Sequence, residues 1–309
     1  MNKLYSYIVG GHRFYLSIPE KSGFLSSLDN YKPFLESEIC VDGFSPESVS
    51  DSVFCLELDI ELEGKELMNN SDLLAEFDND TAFISVMLGG NGERIFLISL
   101  NREMKEQGGL LVIDNGNAYC RLYTGACNGG RHKLFVLNNA LMLLYALFTA
   151  TRNTLLIHAS VAVADGKGYV FLGKSGTGKS THTRLWLNNI PDSWLLNDDN
   201  PVVKIEKGGC VMVYGSPWSG KTPCYRNEKA PLGAVVRLSQ APHNFIRRLS
   251  GIQAYAALSP SASSMRWDRV MADGLHKTLS GIIQSVGVFH LECLPDADAA
   301  FLCHDAVKK

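Results

Sequence analysis

Long apolar runs are what this 309-residue sequence most plainly lacks. The longest, Ala140 to Phe148, covers nine residues, about half of what a membrane-spanning helix needs. The N-terminal stretch MNKLYSYIVGG has neither the apolar core nor the cleavage site of a signal peptide. No two of the eight cysteines (Cys40, Cys55, Cys120, Cys127, Cys210, Cys224, Cys293 and Cys303) stand at Cys-x-x-Cys spacing, which argues against a zinc ribbon or a dithiol redox site. Internal repeats and low-complexity tracts are absent, and no stretch is dense enough in Lys and Arg to read as a nucleic-acid footprint. These absences predict a cytoplasmic protein with reduced cysteines and neither a membrane nor a nucleic-acid partner. Cys55 and Cys120 fall in strand-like runs, where a thiol packs as a small hydrophobe.

At 46% hydrophobic and 20% charged residues, the chain can build one large domain or two modest ones. The net charge of −3 hides a division: residues 1–130 carry nine Lys and Arg against twenty Asp and Glu, and residues 131–309 carry twenty against twelve. Two modules with different partners are expected, the acidic one at 1–130 and the basic one at 131–309.

The acidic part reads as β structure. Gly10-Gly11 between Leu4–Val9 and His12–Ile18 is a hairpin signal. Alternation from Phe54 to Glu63 predicts one half-buried strand with a solvated carboxylate face of Glu57, Asp59, Glu61 and Glu63. Two further strand pairs, Phe83–Leu88 with Arg94–Leu100 and Leu110–Ile113 with Ala118–Tyr123, complete a mainly antiparallel N-terminal module. In the basic part, a helix is expected over Leu137–Arg152, opened by the capping candidates Asn138 and Asn139. Strands Leu155–Val163 and Gly168–Leu172 follow, then a helix from Ser180 to about Ile190, strands at 194–196, 202–206, 210–214 and 234–238, helices near 252–258 and 268–284, a strand at 287–293 and a terminal helix. Short turns between several of these strands predict an α/β unit with a mixed sheet.

The strongest motif is Gly173, Lys174, Ser175, Gly176, Thr177, Gly178, Lys179, Ser180, a full match to the phosphate-loop pattern, followed by Thr181. Glycines let backbone N–H groups turn toward a polyphosphate, the helix that follows presents its positive end, Lys179 supplies a mobile cation and Ser180 offers a hydroxyl to Mg²⁺. The next strand ends in Asn197-Asp198-Asp199-Asn200-Pro201, where carboxylates can face the phosphates if the chain turns there. The segment Gly215–Arg226 joins glycines, prolines and an aromatic to Lys221 and Arg226. It reads equally as a substrate- or phosphate-binding loop and as an ordinary exposed connection. Arg237, Arg247, Arg248 and Arg266 are further cations whose convergence the sequence leaves open.

Leu156-Ile157-His158-Ala159-Ser160, Gly166-Lys167-Gly168, the glycine-rich loop and the Asp198-Asp199 pair resemble the C-terminal catalytic domain of HPr kinase/phosphorylase. That bacterial family phosphorylates a protein serine and shares its fold with phosphoenolpyruvate carboxykinase. The resemblance covers about residues 150–240 and implies an α/β P-loop kinase domain with ATP and Mg²⁺ as cofactors. Carried over residue by residue, it makes Asp198 the base for an acceptor hydroxyl, Asp199 the metal partner beside Ser180, and His158 a proton-handling residue. A histidine satisfied within a buried strand is the alternative for His158. The metal-associated glutamate of that family is missing where this chain reads Val213–Lys221. The expected function is Mg²⁺- and ATP-dependent transfer of the γ-phosphate to a hydroxyl of a small metabolite or a protein serine. A nucleotide-binding sensor without acceptor turnover is the second reading and carboxykinase-like chemistry the third. A homo-oligomer is compatible with all three.

Overall fold

Period-two burial builds two mixed sheets in this computed structural model, which describes residues 2–20, 28–41, 51–78, 82–220 and 222–308. The chain divides into a unit of residues 1–148 and a unit of residues 149–309. The expected boundary at 130 therefore moves to the far end of a helix.

In the first unit the strands are β1 (Asn2–Val9), β2 (His12–Pro19), β3 (Leu35–Val41), β4 (Cys55–Asp59), β5 (Ser71–Asp78), β6 (Phe83–Gly89), β7 (Arg94–Ser99), β8 (Gly109–Ile113) and β9 (Tyr119–Tyr123), followed by helix α1 (Gly129–Thr149). They form one sheet in the order β3-β1-β2-β4-β9-β8-β7-β6-β5. Most pairings are antiparallel as expected, but β4 runs parallel to both neighbours, β2 and β9. The single strand expected over Phe54–Glu63 ends at Asp59, whose carboxylate accepts from the backbone N–H groups of Glu61 and Leu62, each at 2.9 Å. That turn breaks the alternation and leaves Leu62 exposed.

Helix α1 starts at Gly129, well before Asn138 and Asn139. Neither asparagine caps it: Asn139 donates to the Phe135 carbonyl at 2.9 Å within the helix, and Asn138 accepts from Asn30 at 3.2 Å. The helix belongs to the first unit because Tyr145 donates to the Val9 carbonyl, Lys133 to the Ile60 carbonyl, and Phe148 packs on Phe54. With 21 residues and a mean hydropathy of 1.2 over its most apolar stretch, α1 is long and apolar enough to cross a membrane, and 56% of that stretch is buried. The short uninterrupted run missed this because a helix averages its hydropathy across interruptions such as Asn138.

The second unit contains β10 (Thr154–Leu156), β11 (Ala159–Ala164), β12 (Lys167–Leu172), α2 (Lys179–Asn189), β13 (Trp194–Asp199), β14 (Val202–Ile205), β15 (Val211–Tyr214), β16 (Lys229–Gln240), β17 (Phe245–Leu249), α3 (Gly251–Leu258), α4 (Arg269–Ser285), β18 (Gly287–Cys293) and α5 (Ala297–Val307). The sheet runs β10-β14-β15-β16-β12-β11-β13, with β18 beside β16 and β17 beside β18. Parallel pairs β12/β16 and β16/β18 sit among antiparallel ones, so the sheet is mixed. Successive residues of its strands bury on opposite sides. Val161, Val170 and Val235 lie with Leu258 of α3 and Leu279 of α4, while Ala162, Phe171 and Val236 lie with Trp186 of α2 and Cys303 of α5. All eight cysteines are free.

Gly215, just past β15, lies where an added Cβ would collide with the Arg226 carbonyl oxygen. Substitution Gly215→Ala is expected to push these backbones apart at a cost of about 2 kcal/mol, lowering the unfolding midpoint of the second unit by roughly 5 °C. Thermal unfolding followed by near-UV circular dichroism checks this, and an unchanged midpoint would show that the segment is free to move.

Candidate functional site

The glycine-rich loop joins β12 to α2. Gly176 and Gly178 hold φ of +77° and +104° with nothing within 4 Å of an added Cβ. Backbone conformation, not space, is what requires glycine there. Thr177 closes the turn, its N–H and hydroxyl both donating to the Lys174 carbonyl at 3.1 and 2.7 Å.

One long strand was expected over Leu155–Val163; the structure has two, β10 and β11, broken at Ile157-His158. Ile157 bridges to Ala262 and the His158 N–H donates to the Ser261 carbonyl at 2.7 Å. The break leaves the His158 imidazole half-exposed. Its Nδ1 lies 2.9 Å from Asp199 Oδ1, and its Nε2 lies 2.9 Å from Lys179 Nζ. A donating ammonium makes Nε2 the acceptor and Nδ1–H the donor to the carboxylate. Lys179 also donates to the Gly173 and Lys174 carbonyls at 3.0 and 3.4 Å. Burial pushes its pKa down, opposed by the charges of Asp199 and Asp198.

Strand β13 extends to Asp199, so the carboxylate pair closes a strand instead of sitting in the turn expected there. Asp198, 6% exposed, accepts from the Ser180 hydroxyl at 2.9 Å. Asp199 accepts from Asn200 at 2.8 Å through its other oxygen. The two adjacent carboxylates thus face different partners, as a strand demands. Their backbone is held from below by Asn197. It is fully buried, accepts from the Asn200 N–H at 3.0 Å and donates to the Ser216 carbonyl at 3.3 Å and the Trp218 carbonyl at 3.4 Å. The Gly220 N–H in turn donates to the Asp198 carbonyl at 2.6 Å. Asn197, which the sequence offers as a turn-favouring residue, is instead a buried bracket, and Ser216, which the sequence does not single out, completes it.

Two clefts adjoin the loop. One, of about 590 Å³, is lined by Gly176, Gly178, Thr181, Leu185, Leu238 and Pro295, among others. The other, of about 570 Å³, is lined by His158, Lys174, Ser175, Arg237, Ser239 and Pro260, among others. Arg226 reaches neither: its guanidinium lies 5.2 Å over the Trp194 ring and 3.8 Å from Glu228. Lys221 lies outside the described residues. Among the described residues no group of three or more His, Cys, Asp and Glu side chains converges as a metal site. The pair of Ser180 and Asp198 still suits Mg²⁺, which takes one or two carboxylates and fills its remaining positions with phosphate oxygens and water.

Residues 126–281, half of the chain, match the model of the SynChlorMet cassette protein ScmC family. The chain belongs to the ScmC family. The match assigns it there and not to the HPr kinase family that its motifs resemble. No curated protein matches this ScmC-family chain. A solved structure similar to it is that of the Hpr(Ser) kinase/phosphatase from Coxiella burnetii, at 13% identity and a TM-score of 0.30, covering 50% of this chain and 93% of the other. The ScmC match takes in the loop, His158, both carboxylates and Arg237, and stops within α4.

In this ScmC-family chain the helix behind the loop carries a buried tryptophan–histidine contact. Trp186 Nε1 donates to His182 Nε2 at 3.1 Å, which leaves the imidazole proton on Nδ1, buried without a hydrogen-bond partner among the described residues. Burial pushes the His182 pKa down from 6.5 to about 4. Between those values the unfolded chain takes up a proton that the folded chain refuses. Stability therefore falls as pH falls through that window, by about 3 kcal/mol at its lower end. Urea unfolding at pH 7 and pH 4 is expected to show this loss, and His182→Gln to remove it. An equal loss in the variant would assign the acid sensitivity to other groups.

Proposed function

We propose that the second unit binds a nucleoside triphosphate at the glycine-rich loop and transfers its γ-phosphoryl group to a hydroxyl acceptor. ATP is the nucleotide and Mg²⁺ the metal that the HPr kinase resemblance implies. The observation that supports this reading is the division of the carboxylate pair: Asp198 bonds the Ser180 hydroxyl, whereas Asp199 bonds His158, which meets Lys179. A phosphotransferase needs this separation, with one carboxylate on the metal side of the phosphates and another group on the acceptor side to handle a proton.

The partners favour roles reversed from those the resemblance implies. Ser180 and Asp198 would hold Mg²⁺, which when bound neutralises charge on the β- and γ-phosphates. Lys179 is half-buried, and its ammonium is disfavoured there; a polyanion relieves that penalty, so the side chain exchanges carbonyls and His158 for phosphate oxygens. His158 Nε2 is then free to accept the acceptor proton, while Asp199 keeps the imidazole oriented and stabilises its charged form. The acceptor oxygen bonds the γ-phosphorus as its proton passes to His158. The bond to the β–γ bridging oxygen breaks, and the nucleoside diphosphate leaves.

Incubation with γ-labelled ATP and Mg²⁺ against small hydroxyl metabolites and against cell protein tests the reading. Label is expected in one of the two pools. Lys179→Ala should reduce transfer by about 100-fold or more with the unfolding midpoint unchanged, and full activity in that variant would overturn the assignment. The roles of the carboxylates separate kinetically: Asp198→Asn should raise the Mg²⁺ needed for half-maximal rate. Asp199→Asn should lower kcat at an unchanged Mg²⁺ requirement, and the opposite split would restore the roles implied by resemblance.

A further inference from the structure

Three basic side chains outside the constellation described above lie in one row. Arg237 of β16 stands opposite His290 of β18, and His290 stands opposite Arg247 of β17. Residues paired in this way leave the sheet on the same side, their Cβ atoms about 5 Å apart. The side is fixed by the neighbours two positions away: Val235, Val288 and Leu249 all bury with Leu258 of α3 and Leu279 of α4. The row therefore runs across the face that carries α3, beyond the edge of its apolar core.

Each member is held differently. Arg247 Nη1 donates to Gln253 Oε1 of α3 at 3.3 Å, and His290 Nε2 lies 2.9 Å from the Ser239 hydroxyl. The Arg237 side chain makes no hydrogen bond or ion pair among the described residues and lines the 570 Å³ cleft that also contains His158. The acid nearest in register is Glu292, opposite Ser239, and its carboxylate is engaged by His243 at 3.2 Å. Burial disfavours the charged form of His290, opposed by the Glu292 carboxylate, so the like charge that an oxyanion relieves is that of Arg237 and Arg247, whose guanidiniums engage such a group in bidentate fashion. The other cleft offers Leu185, Leu238, Leu294 and Pro295, surfaces suited to a flat apolar group such as a nucleobase.

We propose that Arg237, backed by His290 and Arg247 along the same row, forms an oxyanion subsite for the acceptor, whose carboxylate or phosphate group is held at Arg237 in the cleft that His158 also lines. The inference rests on the phosphotransfer reading for the identity of the ligand as acceptor, and on the row itself for the anion.

The test follows the His290 ring signals by NMR in the full chain saturated with Mg²⁺ and a non-hydrolysable triphosphate. Inorganic phosphate, glycerate, glycerol 3-phosphate and glycerol are titrated in turn. The three oxyanions are expected to shift the signals saturably and glycerol to leave them in place, the stronger of glycerate and glycerol 3-phosphate distinguishing a carboxylate from a phosphate site. Arg237→Gln and Arg247→Gln should each weaken the oxyanion about tenfold without altering triphosphate affinity. No saturable shift, or a shift seen only without the triphosphate together with weakened triphosphate binding in Arg237→Gln, would overturn the proposal and give the row to the nucleotide. Because the titration needs no turnover, oxyanion binding in a chain that labels no acceptor would support the subsite and overturn the kinase reading instead.

Discussion

A fully buried amide must find its hydrogen-bond partners inside the protein, and Asn197 finds them in the segments on either side of the carboxylate pair. Its oxygen takes the Asn200 N–H just beyond Asp199, and its nitrogen reaches the carbonyls of Ser216 and Trp218. The Ser216 hydroxyl returns to the Asn200 carbonyl at 2.6 Å. Strand β13, the chain after it and the segment after β15 are thereby fixed to one another. Asp198 and Asp199 occupy the one stretch of backbone that all of these contacts share. The clamp adds to the ladder with β11, which pairs Asp198 with Ser160 and Asp199 with Ala159, and together they fix the strand end that carries both carboxylates.

From there the site is assembled by convergence. Asp199 reaches His158 at the break between β10 and β11, His158 reaches Lys179 at the start of α2, and Ser180 returns to Asp198. The circuit joins three chain segments 21 and 18 residues apart, and it keeps a half-buried ammonium next to carboxylates that oppose its loss of charge. A group held at this balance responds strongly to an arriving polyanion, which is the physical content of the functional proposal. The positive character of the second part of the sequence has two forms here. Lys179 is bound into the circuit, whereas the Arg237 side chain stands in the adjoining cleft without a hydrogen bond or ion pair among the described residues.

The glycine-rich loop was fully legible in sequence, because its glycines, Lys179 and Ser180 encode a local backbone path and its charge. The carboxylate pair was also legible, although its setting was read as a turn and proved to be the end of a strand. Where local periodicity was extrapolated, it failed at specific residues. Asp59 ended an alternating run by taking two backbone N–H groups with its own side chain. His158 interrupted an apolar strand because Ser261, about a hundred positions away, took its N–H. Helix α1 went to the first unit because Tyr145 and Lys133 bond there, which carries Arg131 and Lys133 with it and softens the charge division without changing its signs.

What the sequence determined by itself was the existence of most strands and helices that surround the site, the phosphate-loop motif and the types of residue available for chemistry; β17, whose Phe245–Leu249 lacks a strict apolar alternation, was not among them. Periodicity and motif spacing are properties of neighbouring residues, so they survive without knowledge of the fold. The tertiary structure alone decided which carboxylate meets Ser180 and which meets His158. It alone withdrew Arg226 to the Trp194 ring and aligned Arg237, His290 and Arg247 in one row. Those outcomes depend on strand register and on the order of strands in the sheet, which long-range packing sets and no local pattern records.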